Sequence, residues 1–168
     1  PDDRIVIPRI AGSSVDYEAE LTVVIGKRAR HVAESEALEY VLGYTIGNDV
    51  SARAWQLREM KTGVLLRGKG FDTFAPIGPV IETDLDPTDV RIEARVNGVV
   101  GHRIRTAGDM IFSVAALIAD VTQAITLMPG DVIMTGTTAY GSLGPGDTVE
   151  MTIDGIGTLR NTVVAEQE

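Results

Sequence analysis

Cysteine is absent from this chain, which removes disulfides, thiolate nucleophiles and zinc–thiolate sites together. That composition fits the cytoplasm, the expected location. Positive charge is scarce: 15 Lys and Arg stand against 24 Asp and Glu, for a net charge of −9 at pH 7. The imbalance argues against a nucleic-acid backbone or an anionic membrane surface as partner. An anionic substrate would need a local cation to reverse the field at its site. No apolar run approaches the roughly 20 residues that span a bilayer. Pro1-Asp2-Asp3-Arg4 has neither the basic start nor the apolar core of a signal peptide. Aromatics make up only 5%, and there are two histidines. His31 follows a basic loop and His102 lies just past a hairpin turn; neither falls in a cluster with metal-ligand spacing, so both are expected at the surface. A Ser-His-Asp arrangement and a dinucleotide fingerprint are missing too, and Gly68-Lys69-Gly70 lacks the flanks of a phosphate loop.

What is present is a chain of 168 residues, 44% apolar, long enough to bury a core of its own and expected to form one domain over 1–168. Its most informative stretch is Val15-Asp16-Tyr17-Glu18-Ala19-Glu20-Leu21, which runs into Thr22-Val23-Val24-Ile25-Gly26. The β-branched second half ending at a glycine reads as a strand. Residues two apart share a face of a strand, so Asp16, Glu18 and Glu20 point one way and Tyr17, Ala19, Leu21 and Val23 the other. Three carboxylates on one face repel each other: either water screens them or a cation sits among them. Taken alone, the pattern favours a solvated face.

The remainder reads as strand-heavy with two helices. Ile5, Ile7 and Ile10 mark a short extended segment interrupted by Pro8. Ser35 is placed to cap a short helix over Glu36–Leu42, with Gly43 as its stop. Tyr44-Thr45-Ile46 is a short strand delivering a turn-like cluster, Gly47 to Ser51. Residues 52–60 suit a brief helix. Asn97-Gly98 between apolar runs predicts a hairpin. Asp109 or a neighbour caps the longest helix, roughly Met110 to Ala124, whose apolar residues follow helical spacing. Met128-Pro129-Gly130-Asp131 and Gly144-Pro145-Gly146-Asp147 are paired type II turn signals, each followed by a strand.

Several residues could carry chemistry. Asp49, in a Gly-Asn-Asp turn after an apolar strand, can join Glu18 and Glu20 in an all-oxygen set suited to a hard cation, Mg²⁺ first, with Mn²⁺ or Ca²⁺ also accommodated. Alone, Asp49 is better explained by an Asx-turn. Lys69 lies between two glycines, which let backbone approach a ligand closely, but by itself it is an ordinary surface lysine. Arg53 and Gln56 share a helical face and could hold a carboxylate and a carbonyl, or simply face solvent. Thr137 follows an apolar strand and could donate to a substrate oxygen, or belong only to a turn.

Five ordered motifs resemble the fumarylacetoacetate hydrolase family: Val15 to Leu21; Gly47 to Arg53 with Gln56; Gly68 to Pro79; Asp109 to Phe112; and Leu127 to Thr137 followed by Gly155 to Asn161. The resemblance implies an α+β, β-rich roll of layered sheets with two principal helices, and a homodimer. It implies that Glu18, Glu20 and Asp49 ligate a divalent metal. Lys69 is then the lysine beside that metal, Arg53 and Gln56 line the pocket, and Thr137 stands on its far wall. The substrates it implies are small 2-oxo acids and their enols, as in aromatic catabolism. The expected reaction is Mg²⁺-dependent C–C cleavage, by acylpyruvate-type hydrolysis or decarboxylation. The alternatives are isomerisation of the 2-hydroxyhepta-2,4-dienedioate type and a non-catalytic metal-binding role. The sequence departs from the family's pattern at Ala54, where many members have Asp, and at Thr138 and Thr162, where Pro is usual. Hydrolytic and decarboxylating members also carry a histidine with a glutamate partner upstream of the metal strand. Only fourteen residues precede Val15, none of them His, so the family's usual N-terminal region is expected to be absent or truncated here.

Overall fold

A computed structural model describes residues 1–167. In chain order these form β1 (Arg4–Ile7), β2 (Val15–Ile25), β3 (Val41–Asn48), β4 (Ser51–Ala52), α1 (Arg53–Met60), β5 (Ile77–Glu82), β6 (Arg91–Val96), β7 (Val99–Arg105), α2 (Thr106–Asp109), α3 (Val114–Ala124), β8 (Val132–Met134), β9 (Tyr140–Leu143), β10 (Thr148–Ile153) and β11 (Gly157–Ala165). The class is the expected one, α+β and β-rich in layered sheets, with α1 and α3 as the principal helices. No helix among the described residues is long and apolar enough to cross a membrane.

β2 is the strand around which the second sheet is built. Its first residues pair with β4 on one edge and β9 on the other; further along it pairs with β3 and β8. β5 continues this sheet beyond β3. The other sheet has the order β1-β11-β10-β6-β7 and packs across β2, β3 and β5. Alternation decides the interface: Val15, Tyr17, Ala19, Leu21, Val23 and Ile25 join Ile92, Ala94, Val149, Met151 and Ile153 in one core cluster. Leu21 and Ile25 are wholly buried, and transfer of each such side chain from water stabilises the fold by about 1.5–3 kcal/mol. With that face committed to the core, the carboxylates must take the other face.

The Asn97-Gly98 hairpin joins β6 to β7, with both residues at positive φ (52° and 78°), the backbone twist that suits two-residue hairpins. The two Pro-Gly turns are built alike. Asp131 accepts from the N–H of Met128 at 2.7 Å, and Asp147 accepts from that of Gly144 at 2.7 Å. The basic loop after β2 has a structural role. Its Arg30 guanidinium donates to the carbonyls of Thr122 and Gln123, satisfying the open end of α3.

Three local expectations are corrected. Glu34–Tyr40 forms a 3-10 helix without a side-chain cap, and Val41 already begins β3. Gly43 is therefore a strand residue rather than a helix stop; a Cβ there would lie 2.5 Å from the carbonyl oxygen of Glu82 on β5. The longest helix starts at Val114, capped by Ser113, whose Oγ accepts from Ala116 N at 3.0 Å. Asp109 is diverted to the N–H of Arg105 at 2.7 Å, and Met110 is extended. Gly47 and Asn48 finish β3, so the turn before β4 is only Asp49-Val50.

Candidate metal centre

β2 brings Asp16, Glu18 and Glu20 to the face away from the core at every second position. Where β3 ends, Asp49 is locked beside them. Its N–H donates to the Glu18 carbonyl at 2.9 Å, and the Glu18 N–H donates to Asn48 Oδ1 at 3.1 Å. One carboxylate oxygen from each of Glu18, Glu20 and Asp49 then lies within 4.8 Å of the others. This is not a solvated face: Glu20 is 2% exposed and Asp16 9%.

Two cations reach the cluster. Lys69 Nζ donates to Glu18 Oε2 at 2.9 Å and to Asp49 Oδ2. Arg53 forks between Asp16 Oδ2 at 2.6 Å and Glu18 Oε1 at 2.7 Å, and donates its remaining arm to Gln56 Oε1 at 2.7 Å. Arg53 and Gln56 thus share a helical face as expected, but that face points at the carboxylates and not at solvent. Asp16 has a structural role, also accepting from Ser142 Oγ at 3.3 Å.

Glu20 is the one carboxylate of this cluster without an ion-pair partner among the described residues. Its Oε2 accepts from the N–H of Gly136 at 2.7 Å. Burial pushes its pKa up to about 7; the Gly136 bond opposes this, and the charges of Asp49 and Glu18 add to it. Burial also raises Asp49, outweighing its bond to Lys69. For Lys69, burial works against the charged form, yet the bonds to Asp49 and Glu18 prevail and raise its pKa. Four carboxylates (Asp16, Glu18, Glu20, Asp49) thus face two cations (Arg53, Lys69). A divalent cation would balance the remaining two negative charges. An all-carboxylate set at this spacing fits a hard, oxygen-seeking ion.

Thr137 sits one residue beyond the Gly136 amide that holds Glu20. Its Oγ1 accepts from Ala139 N at 2.8 Å. With Ile104, Met110 and Phe112 it lines a cavity of about 200 Å³ that none of the cluster carboxylates lines. His102 is not a plain surface residue as expected. Its Nδ1 meets the Tyr17 hydroxyl at 3.1 Å, and its ring stacks on Tyr140 at 6.2 Å. The Tyr140 ring lies 5.3 Å from the Arg53 guanidinium carbon. Sequence reasoning missed Tyr140, because only the β2–β9 register sets it opposite Glu18. His31 is exposed, as expected.

Residues 1–164 match the family model for the C-terminal region of fumarylacetoacetate (FAA) hydrolase. The chain belongs to the fumarylacetoacetate hydrolase family. A solved structure of 5-carboxymethyl-2-hydroxymuconate delta-isomerase from Mycobacterium smegmatis superposes with a TM-score of 0.93 at 46% identity, over 100% of this chain and 65% of that one. The mitochondrial oxaloacetate tautomerase Fahd2a of Rattus norvegicus is 41% identical over 98% of this chain and 55% of its own length. Fumarylpyruvate hydrolase from Pseudomonas aeruginosa, solved in complex with Mn²⁺ and pyruvate, gives a TM-score of 0.89 at 32% identity, over 98% of this chain and 72% of that one. These relatives are enzymes, and the chain spans between 55% and 72% of their lengths.

Proposed function

We propose that this protein is a divalent-cation-dependent enzyme acting on a small 2-oxo acid or its enol, with Glu18, Glu20 and Asp49 as the metal ligands. The observation that carries the reading is the three-carboxylate cluster, buried at Glu20 and half-buried at Glu18 and Asp49, its charge short of balance by two, with Lys69 beside it. Mg²⁺ is the first choice of ion; Mn²⁺ also suits the donor set, as does Ca²⁺ with looser geometry. When bound, such an ion supplies Lewis acidity toward the oxygens of the substrate.

The protein's own groups supply the rest. Lys69 places an ammonium where an enolate oxygen gains charge, and stabilisation aimed at developing charge lowers the barrier. The same ammonium is the proton-carrying group nearest the cluster and can return a proton to that oxygen. Arg53 and Gln56 orient the distal end of the substrate from α1, and Thr137 offers a hydroxyl from the adjoining cavity that Gly136, the residue holding Glu20, also lines.

Keto–enol or double-bond isomerisation is the form of enolate chemistry this set supports best: the proton leaving carbon passes to solvent, which in turn restores the proton that Lys69 gives to oxygen, and no water need be activated as a nucleophile. The isomerase and tautomerase relatives, at 46% and 41% identity, favour it. Hydrolysis or decarboxylation of an acylpyruvate or oxaloacetate is the second reading, favoured by the fumarylpyruvate hydrolase relative. Oxaloacetate, dienoic diacids and acylpyruvates, each assayed with Mg²⁺ and again after chelation, distinguish the two readings. Chelator-sensitive interconversion without C–C cleavage is the expected result. Turnover that survives chelation would sink the metal-dependent reading.

A further inference from the structure

The loop that presents Lys69 has little apolar burial to hold it. Val64, Leu65 and Leu66 are 53%, 53% and 67% exposed. Hydrophobic packing therefore does not fix its path, and polar ties must. The strongest comes from Glu59, in the last turn of α1. Its Oε2 accepts from Leu66 N and Gly68 N, each at 3.0 Å, and its Oε1 accepts from Arg67 N at 2.8 Å. Three consecutive amides converging on one carboxylate form an anion nest, and both oxygens are needed to fill it. These bonds, that of Gly68 foremost, hold the Glu59 carboxyl below the ordinary glutamate range.

The loop is tied to α1 and its leading strand at other points as well. Ala52 N donates to the Gly68 carbonyl at 2.7 Å, and Val64 N to the Glu59 carbonyl at 3.3 Å. The Arg67 guanidinium lies over the Trp55 ring at 5.5 Å. A Cβ on Gly68 would sit 2.9 Å from the backbone nitrogen of Gln56, so the loop rests directly on the helix. One helix thus carries Arg53 and Gln56 in its first turns and the anchor of Lys69 in its last. Glu59 is not among the hydrogen-bond partners of Lys69, so its influence travels through the backbone of residues 66–69.

We propose that Glu59 is a positioning residue for Lys69: it fastens loop 64–70 to α1 so that the ammonium reaches Glu18 and Asp49. The consequence for turnover rests on the proposed function; the effect on the place of Lys69 does not. The chain has three lysines, so trace acetylation read by mass spectrometry can follow Lys69 against Lys27 in the same molecule. In the full chain, Glu59→Gln leaves one acceptor oxygen for three amides. The Lys69-to-Lys27 labelling ratio should rise about threefold or more, the scale of losing one such hydrogen bond. Glu59→Asp, which keeps both oxygens on a shorter arm, should fall between. With any of the substrates above that the wild type turns over, Glu59→Gln should lower kcat/KM. Combined with Lys69→Met, it should cost no more than Lys69→Met alone. An unchanged ratio, equal rises at Lys27 and Lys69, or multiplicative losses in the double variant would overturn the proposal. If the wild type turns over none of those substrates, the enzymatic reading fails while the labelling ratio still decides the role of Glu59.

Discussion

Burial and two neighbouring carboxylates push Glu20 up to about pKa 7, so in the proposed metal site a proton would compete with the cation for its oxygens near neutral pH. With a pKa of about 7, apparent Mn²⁺ affinity should fall about tenfold between pH 8 and pH 6, measured by titration calorimetry. Glu20→Gln should weaken binding sharply and abolish that slope; a slope that survives the substitution would mean another group titrates. The sign for stability follows from the same shift. A carboxyl whose folded pKa lies above its unfolded value favours the fold fully below the ordinary carboxylate range and loses that contribution as pH rises through about 7. In metal-free protein this residue therefore weakens the fold on the alkaline side, where a bound cation would restore it. The alternation of Asp16, Glu18 and Glu20 is legible in the sequence. That Glu20 is nearly inaccessible, and held by the N–H of Gly136 from a loop more than a hundred residues away, is not.

Elements are most legible where a local rule acts alone. The 11 residues of β2, the Asn-Gly hairpin and α1 all stand where alternation, turn chemistry and helix formers place them. Departures arise where a side chain finds a non-local partner or where two local signals compete. Local signals assign Asp109 to cap the long helix, but it bonds the N–H of Arg105 and leaves the cap to Ser113. Gly43 reads as a helix stop because its role, giving room to β5, depends on a strand far along the chain. Gly43→Ala should destabilise the protein by about 1–3 kcal/mol, the usual range for overpacking a filled site. Denaturant unfolding checks this. Stability within a few tenths of a kcal/mol of wild type would show that β5 yields to the added methyl group.

At the scale of the whole molecule, the two sheets share one apolar interior while the carboxylates gather on the outer face of β2. The apolar residues left outside include Ile111 at 89% and Phe112 at 62% exposure, beside the cavity that Thr137 lines. Patches of this kind mark contact surfaces when they are contiguous. The family resemblance points to a second copy of the chain as the partner. Light scattering on the purified protein should give twice the chain mass, and Ile111→Asp combined with Phe112→Asp should halve it. A wild-type chain that runs as a monomer at every concentration tested would rule out the homodimer that the resemblance implies.

The sequence by itself determined the class of the fold, the strand that carries the acidic residues, the hairpin, the paired Pro-Gly turns and the candidates for the site. Each of these rests on periodicity or turn chemistry within a few residues, or on ordered family motifs. Tertiary structure alone decided what those candidates do to one another. It turned a face that local pattern reads as solvated into a largely covered cluster, with Glu20 and Asp16 buried and Glu18 and Asp49 half-buried, because the opposite face of β2 is fully committed to the core. It set Lys69 and Arg53 against the carboxylates, Gly136 against Glu20, Tyr140 against Arg53 and Glu59 under the Lys69 loop. All of these contacts are fixed by strand register and loop path, which no short window of sequence encodes.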